Sequence, residues 1–200
     1  MDYSSLYMVI VAYLLGSINM AILMCKVFAL PSPRSIGSGN PGATNVLRLG
    51  GKLPAALTLL GDALKGFIPV LIAWILGLDA FSVSLVALAA IIGHIFPIFF
   101  KFKGGKGVAT LIGAIFAFSW IIGLCFVISW LIIALISRYS SLSALIATIE
   151  VPFIVNALFG IKPTTIFTII SIIIILRHHQ NITRLIKGEE SKIGQKAKSK

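Results

Sequence analysis

Long apolar runs separated by short polar segments make up most of this chain, and they leave few folds open to it. A helix needs about 20 apolar residues to cross about 30 Å of hydrocarbon. Runs of similar length cover residues 6–24, 53–78, 80–100, 108–136, 142–159 and 161–176. Only 12% of the 200 residues are charged, whereas soluble domains carry about 25%. The sequence therefore predicts an all-α, polytopic bundle of membrane helices and excludes a soluble monomer.

The positive charges predict how many times the chain crosses the membrane. The run at 108–136 is too long for one upright helix, and we expect it to split near Ser119 and Trp120. With the N-terminus outside, seven spans leave nearly all of the 17 Lys and Arg residues in cytoplasmic segments, as the positive-inside rule requires. Six spans would move the basic C-terminal tail to the opposite side. We therefore expect one seven-span domain over 1–190, followed by a basic, disordered cytoplasmic tail at 191–200.

The formal net charge of +11 has a different meaning here than in a soluble protein. In a membrane protein it reports orientation and an anionic lipid surface, rather than bound nucleic acid. Cys25 and Cys125 lie far apart in apolar runs, without the spacing of a disulfide framework or a metal site. We therefore expect membrane lipids as neighbours, no nucleic acid, no metal, no cofactor and an active monomer.

The first of three unusual polar segments, SIGSGNPGATNVLR at 35–48, lies between the first two spans. Gly37, Gly39 and Gly42 match a dinucleotide-binding pattern, but no strand precedes them, which disfavours that function. Glycine backbone leaves N–H groups free to face an anion, and hydroxyl, amide and guanidinium groups add donors. A flexible linker is the alternative. The residues expected to bind a phosphate-bearing substrate are Ser38, Gly39, Asn40, Thr44, Asn45 and Arg48.

The second segment, FKFKGGKGVAT at 100–110, joins the third and fourth spans. It resembles a Walker loop, but Gly107 stands where that motif needs Ser or Thr, which disfavours NTP hydrolysis. A Gly-rich turn with lysines that leads into a helix N-terminus is still suited to phosphate binding. The alternative is a basic loop that only sets topology. The residues expected to bind phosphate here are Lys103, Gly104, Gly105, Lys106 and Gly107.

The third segment, RHHQNITRLIKGEE at 177–190, follows the last span. On a continuing helix His178 and Asn181 share a face, and Arg177 and Arg184 extend the same polar stripe. His178 and Asn181 are therefore the candidate catalytic residues, with a basic interfacial flank as the alternative. All three segments fall on the cytoplasmic side of the seven-span arrangement, which predicts one anion-binding site at that surface.

A few charged and small polar residues interrupt the apolar runs. Asp62 and Lys65 stand three residues apart within the second span, where each unpaired charge would cost about 2.5–3.5 kcal/mol. We expect them to pair and to support the loops above. The sequences GSIN from Gly16 and GH from Gly93 are typical of close helix packing. Glu150, midway through the sixth span, has no partner that the sequence identifies.

These motifs together resemble the acyl-phosphate-dependent glycerol-3-phosphate acyltransferase family of bacterial inner membranes. The resemblance covers essentially the whole chain and rests on GSGNPGATN with Arg48, on the GH and KFKGGKGVAT motifs between 93 and 110, and on RHHQNITRLIKGEE. It implies seven spans, a cytoplasmic active site, and acyl transfer from acyl-phosphate to the sn-1 hydroxyl of glycerol 3-phosphate. The products would be lysophosphatidic acid, the first acylated intermediate of phospholipid synthesis, and inorganic phosphate. A serine patch, RYSSLS, resembles a further family element and adds Ser141 and Ser143 to the expected site.

The chemistry that this resemblance implies agrees with the residues. Acyl-phosphate is a mixed anhydride with a good leaving group, so positioning and charge stabilisation can supply much of the rate. No His-x4-Asp dyad occurs, and no Cys or Ser has an evident base beside it. His178 is a candidate base, and the substrate phosphate is the alternative proton acceptor. The competing function classes are a membrane transporter of a small organic anion and a lipid-binding scaffold.

Overall fold

Every regular element in residues 3–195, the part of the chain that the computed structural model describes, is a helix. The all-α prediction is therefore confirmed. The helices are α1 (Tyr3–Gly16), α2 (Met20–Val27), α3 (Ala43–Gly50), α4 (Lys52–Ile75), α5 (Ala80–Ile95), a 3-10 turn (Ile98–Phe100), α6 (Val108–Phe118), α7 (Trp120–Ser137), α8 (Ser140–Phe159), α9 (Ile161–Arg177) and α10 (His179–Ile186).

Five helical segments among the described residues are long and apolar enough to cross a membrane. They are Tyr3–Val27, which joins α1 and α2, then α4, then α5 with its 3-10 extension, then α7 and α8. The α9–α10 pair makes a sixth if it is counted as one bent span. With 11 residues, α6 is about 16 Å long, which is shorter than the hydrocarbon layer. A count of seven spans thus stays a prediction.

The polar end of the bundle gathers the three unusual segments. Arg34, in the α2–α3 loop, donates a hydrogen bond to the carbonyl of Lys103 in the α5–α6 loop. Arg177, at the end of α9, donates through Nη2 to the carbonyl of Gly105 in that same loop, at 3.3 Å. The expectation that these segments lie together is confirmed.

The opposite end of the bundle is aromatic. The indole Nε1 of Trp74 donates to the carbonyl of Phe118 at 3.2 Å, and the rings of Phe118 and Phe159 lie 4.8 Å apart. These residues stand at the C-terminal ends of α4, α6 and α8, so α6 joins the two ends of the bundle despite its length. The chain turns back through an extended Ser119, which confirms the predicted break there.

Glycines bring pairs of helices into backbone contact. The Cα of Gly16 lies so close to the Ala90 carbonyl that a Cβ would overlap it, and Gly93 stands in the same relation to Tyr13. These contacts join α1 to α5, while Gly66 joins α4 to α6 in the same way. Small residues permit such close approach between membrane helices. The packing role predicted for Gly16 and Gly93 is confirmed.

The first span differs from its predicted form, because it is broken rather than continuous over 6–24. α1 ends at Gly16 and α2 begins at Met20. The side chain of Asn19 accepts a hydrogen bond from the N–H of Ile22 at 3.1 Å and caps α2. The break also leaves the carbonyl of Ile18 free to accept a bond from a side chain of α4.

Candidate active site

The carboxylate of Glu190 binds side chains from two helices at the polar end. Its Oε1 accepts hydrogen bonds from Ser141 Oγ at 2.7 Å and from Asn181 Nδ2 at 2.6 Å. Its Oε2 pairs with Arg184 Nε at 2.6 Å. Lys106 joins the group by donating to Oδ1 of Asn181. These five residues, called the Glu190 cluster below, connect α8, α10 and the α5–α6 loop.

Glu190 itself is absent from the residues predicted by sequence. A signal for it exists, because the chain has only six Asp and Glu residues and two of them, Glu189 and Glu190, stand within a strongly basic tail. Glu189 is exposed, whereas Glu190 is partly buried. Ser141 and Glu190 are separated by 49 positions in the chain, which explains why the sequence alone could not join them.

The charges around Lys106 are mostly positive. Burial and the neighbouring charges of Arg184 and Arg177 lower the pKa of Lys106 to about 8. Arg48 acts in the same direction, and only Glu190 opposes the shift. Since one carboxylate faces several cations, the region keeps a positive potential that favours a further anion.

The carboxyl of Glu190 remains charged within this group. Burial raises its pKa, but hydrogen bonds from Ser141, Asn181 and Arg184, with the charge of Arg184, have the larger combined effect. The pKa of Glu190 therefore lies below its ordinary value. An ionised acceptor makes each of these hydrogen bonds stronger than a neutral one would be.

The last helix bends, and this corrects the prediction that it continues past Arg177. The axes of α9 and α10 differ by 58°, with the break at His178. The bend divides the predicted polar stripe: Arg177 reaches the α5–α6 loop, while Asn181 and Arg184 bind Glu190. It also turns both His178 and Asn181 into the protein, where each is buried.

His178 has a fixed ring and a depressed basicity. Its Nδ1 lies 2.7 Å from the carbonyl of Ile174, which makes Nδ1 the donor and leaves the Nε2 lone pair free. Burial, with the charges of Lys106 and Arg177, lowers the pKa of His178 to about 4, although Ile174 and Glu190 act in the opposite direction. The ring is therefore neutral at neutral pH.

The Gly-Gly turn of the α5–α6 loop folds back onto α5. The N–H groups of Gly104 and Gly105 donate to the carbonyls of Ile95 and His94, at 3.1 and 3.2 Å. A Cβ at either glycine would overlap His94. These glycines therefore shape the turn instead of offering N–H groups to a ligand. The free backbone donors lie one step later, where Gly107 adopts φ +92° and α6 begins.

The buried side chain of Asn45 holds the α2–α3 loop by hydrogen bonds to its backbone. Its Nδ2 donates to the carbonyls of Pro33 and Ile36, at 2.8 and 3.1 Å, and its Oδ1 accepts from the N–H of Ser38 at 3.1 Å. All the hydrogen-bonding groups of this buried amide are thus engaged by the loop. The structure places Asn45 beneath the predicted phosphate-binding segment rather than on its surface.

The other residues predicted in this loop lie nearer to solvent. Ser38 is exposed, and its Oγ accepts from the N–H of Asn40 at 3.4 Å. Gly39 adopts φ +70°, and Thr44 is exposed at the start of α3. Arg48 is the member of this segment whose charge acts on Lys106. Among residues 3–195, Ser38, Asn40 and Thr44 form no hydrogen bond with the Glu190 cluster.

Of the two predicted serines, Ser141 belongs to the cluster and Ser143 does not. The Oγ of Ser143 donates at 2.8 Å to the carbonyl of Tyr139, the residue just before α8. Lys103 is exposed and contributes its carbonyl to Arg34. The structure therefore brings Lys106, Asn181 and Ser141 together. Arg48 is close enough to lower the pKa of Lys106, and Lys106 is close enough to lower the pKa of His178.

The predicted ion pair within the membrane is confirmed. Asp62 Oδ1 lies 2.7 Å from Lys65 Nζ, and both side chains are buried. Glu150, for which the sequence suggested no partner, accepts a hydrogen bond from Ser129 at 3.0 Å on the neighbouring α7. Within residues 3–195, no three His, Cys, Asp or Glu side chains are grouped so as to hold a metal ion.

Comparisons with known proteins identify the family of this chain. A family model described as glycerol-3-phosphate acyltransferase matches residues 6–188. The chain is 60% identical over 200 residues to a glycerol-3-phosphate acyltransferase of Francisella tularensis subsp. novicida (strain U112), with 100% of this chain and 98% of the relative covered. A relative from Francisella philomiragia subsp. philomiragia is 59% identical with the same coverage.

Solved structures give the same result. The chain is similar to the crystal structure of PlsY (YgiH), an integral membrane glycerol 3-phosphate acyltransferase, in its glycerol 3-phosphate form, with a TM-score of 0.91, 43% identity and 96% of both chains covered. The lysophosphatidic acid form gives a TM-score of 0.86 at 41% identity and the same coverage. With the family model and the 60% identical relative, this shows that the chain belongs to the glycerol-3-phosphate acyltransferase family.

Proposed function

We propose that this protein transfers an acyl group from acyl-phosphate to the sn-1 hydroxyl of glycerol 3-phosphate. A bond forms between the hydroxyl oxygen and the acyl carbonyl carbon, and the bond from that carbon to the phosphate oxygen breaks. The leaving phosphate takes the electron pair, and the hydroxyl proton passes to phosphate or to a base. The products are lysophosphatidic acid and inorganic phosphate, which makes this the first acylation of phospholipid synthesis.

The observation that supports this proposal most is the excess of cations at the Glu190 cluster. Both substrates carry phosphate, and Lys106 stands among Arg48, Arg177 and Arg184, with Glu190 the one carboxylate within residues 3–195 that acts on it. Cations placed before the substrates arrive stabilise the charge that develops on the leaving phosphate. The relatives are named glycerol-3-phosphate acyltransferases, and one solved structure is of a glycerol 3-phosphate form. This favours glycerol 3-phosphate as the acceptor here.

We propose that His178 positions the acceptor hydroxyl rather than acting as the principal base. A neutral ring whose Nδ1 is held by Ile174 presents Nε2 as a hydrogen-bond acceptor in one direction. Its pKa of about 4 makes it a weak base at neutral pH, and general bases work best when their pKa lies near the operating pH. The substrate phosphate is then the more suitable proton acceptor.

We further propose seven spans in the bacterial inner membrane, with the N-terminus outside and the active site cytoplasmic. The polar end that holds the Glu190 cluster also holds most of the basic loops, as expected of a cytoplasmic surface. In this arrangement α6, which leads from the α5–α6 loop to Phe118 at the aromatic end, would be the additional crossing. The domain over 1–190 would act as a monomer. Of the tail at 191–200, Ile193 donates to the carbonyl of Arg138 at 2.7 Å, and residues 196–200 lie outside the described part.

Phosphate release by the purified protein in detergent tests the proposed reaction. We expect release from acyl-phosphate that depends on glycerol 3-phosphate and needs neither CoA nor added metal, with lysophosphatidic acid formed in equal amount. Because detergent micelles have no sealed compartment, a transporter would form no product. Failure to release phosphate, or release without an acylated product, would contradict the proposal.

A further inference from the structure

Three titratable side chains lie buried among the helices next to the α5–α6 loop. They are Asp62, Lys65 and His94, exposed by 2%, 7% and 5%, and are called the buried triad below. We propose that the buried triad positions the turn at Gly105, and through it the ammonium group of Lys106. The proposal rests on the proposed function, because it takes Lys106 to bind a phosphate-bearing substrate.

The buried triad connects three helical elements. Asp62 Oδ1 pairs with Lys65 Nζ at 2.7 Å on α4, and it lies 3.6 Å from Nδ1 of His94 on α5. Lys65 Nζ also donates to the carbonyl of Ile18 at 2.7 Å, in the break between α1 and α2. The carboxylate thus lies between an ammonium group and an imidazole, and its approach to the His94 ring is a close polar contact rather than a hydrogen bond.

The other side of that ring supports the loop. Nε2 of His94 lies where a Cβ on Gly105 would stand, so the ring and the turn are in direct contact. The carbonyl of His94 accepts the N–H of Gly105 at 3.2 Å, and Arg177 Nη2 donates to the Gly105 carbonyl at 3.3 Å. Gly105 is therefore held on both sides, and Lys106 is the next residue along the chain.

The energetic cost of the buried triad favours a positioning role over a purely stabilising one. Burying two opposite charges costs about as much free energy as their attraction returns, and polar groups within membranes commonly mark function. Buried side chains in close contact do, however, restrict one another's positions. The contacts run from Asp62 to His94 and from the His94 ring to Gly105, so they restrict the turn before Lys106.

A double-mutant cycle tests whether His94 acts through Lys106. The variants are His94→Phe, Lys106→Ala and the double variant, each purified in detergent and assayed for acyl transfer. We expect His94→Phe alone to lower kcat/KM about tenfold, and by less than about twofold when Lys106 is already Ala, since coupled residues are not additive. Ser84→Ala is the matched control: Ser84 is buried in the same helix, and its hydroxyl donates within that helix to the Phe81 carbonyl at 2.6 Å. Ser84→Ala should leave kcat/KM unchanged both in the wild type and in Lys106→Ala.

An equal tenfold loss in both backgrounds would overturn the proposal, because a general loss of packing is additive. If His94→Phe does not give folded protein, the same cycle with the isosteric Asp62→Asn decides. Failure of both variants to fold would also overturn the proposal, since the triad would then be required for folding. An inactive wild type would instead refute the proposed function, so the two failures are distinguishable.

Discussion

At the scale of single residues, Glu190 controls the charge of its neighbours. Its carboxylate raises the pKa of Lys106 against burial and the surrounding arginines, which together set that pKa at about 8. Glu190→Gln removes this effect and weakens the bonds to Ser141, Asn181 and Arg184. We expect kcat/KM to fall at least about tenfold, the equivalent of one charge-assisted hydrogen bond.

The same substitution should also change the pH profile of the enzyme. Without Glu190 the pKa of Lys106 falls below about 8, so the ammonium group loses its proton at lower pH. The alkaline decline of kcat/KM, measured between pH 6 and 9, is expected to move to lower pH. Glu189→Gln serves as the control, because Glu189 is exposed and adjacent. An unshifted decline in Glu190→Gln would mean that Lys106 does not set it.

His178→Gln separates positioning from base catalysis. A positioning role predicts a higher KM for glycerol 3-phosphate, with kcat at saturating substrate reduced by less than about tenfold, whereas loss of a general base costs about 10²–10⁴ in kcat. His179→Gln is a suitable control, since the ring of this neighbouring residue is exposed and bonds to the Leu176 carbonyl at 3.0 Å. A thousandfold fall in kcat with KM unchanged would show that His178 is the base.

Some members of the candidate site could be predicted from sequence and others could not. Lys106 and Asn181 stand out because glycines or polar residues surround them at the ends of apolar runs. Glu190 and the position of Asn45 depend on contacts with distant segments, which no local pattern reports. Arg34, which joins two loops through the carbonyls of Phe100 and Lys103, is missed for the same reason.

At the scale of elements, glycine contacts between helices set the distance between α4 and α6. A Cβ on Gly66 would overlap the carbonyl of Thr110, which is backbone and cannot move aside, whereas one on Gly61 would meet the flexible end of Met20. Overpacking of a close contact costs about 1–3 kcal/mol. We expect Gly66→Ala to lower the free energy of unfolding in mixed micelles by that amount and Gly61→Ala by clearly less. Equal losses would contradict the backbone-contact argument.

Helix ends were harder to predict than helix positions. Apolar length predicts where the long helices lie, because lipid requires long apolar segments, and with the positive-inside rule it predicts the break near Ser119. The break after Gly16 and the bend at His178 depend on capping and on tertiary bonds from Lys65 and Arg177. A periodicity argument assumes a continuous helix and therefore misses both.

At the scale of the whole molecule, the charge distribution and the path of the chain both divide the bundle into a basic polar end and an apolar end. The polar end collects the basic loops, and the opposite end carries the aromatic contacts of Trp74, Phe118 and Phe159. The sequence predicts this sidedness because lysines and arginines are retained on the cytoplasmic side. The apolar run that begins at residue 108 and the break expected near Ser119 also imply a short α6, which has 11 residues.

Cysteine labelling in intact cells tests the proposed orientation directly. In a background of Cys25→Ala and Cys125→Ala, single cysteines replace two exposed residues: Lys162, near the aromatic end, and Lys187, at the polar end. A membrane-impermeant maleimide should label Lys162→Cys in intact cells, and Lys187→Cys only after permeabilisation, because seven spans with the N-terminus outside place them on opposite sides. The reverse pattern would invert the topology and place the Glu190 cluster outside, away from a cytoplasmic supply of both phosphate-bearing substrates. Labelling of both residues from the same side would mean that the chain does not cross the membrane between Lys162 and Lys187. That result would contradict α9 as the last span.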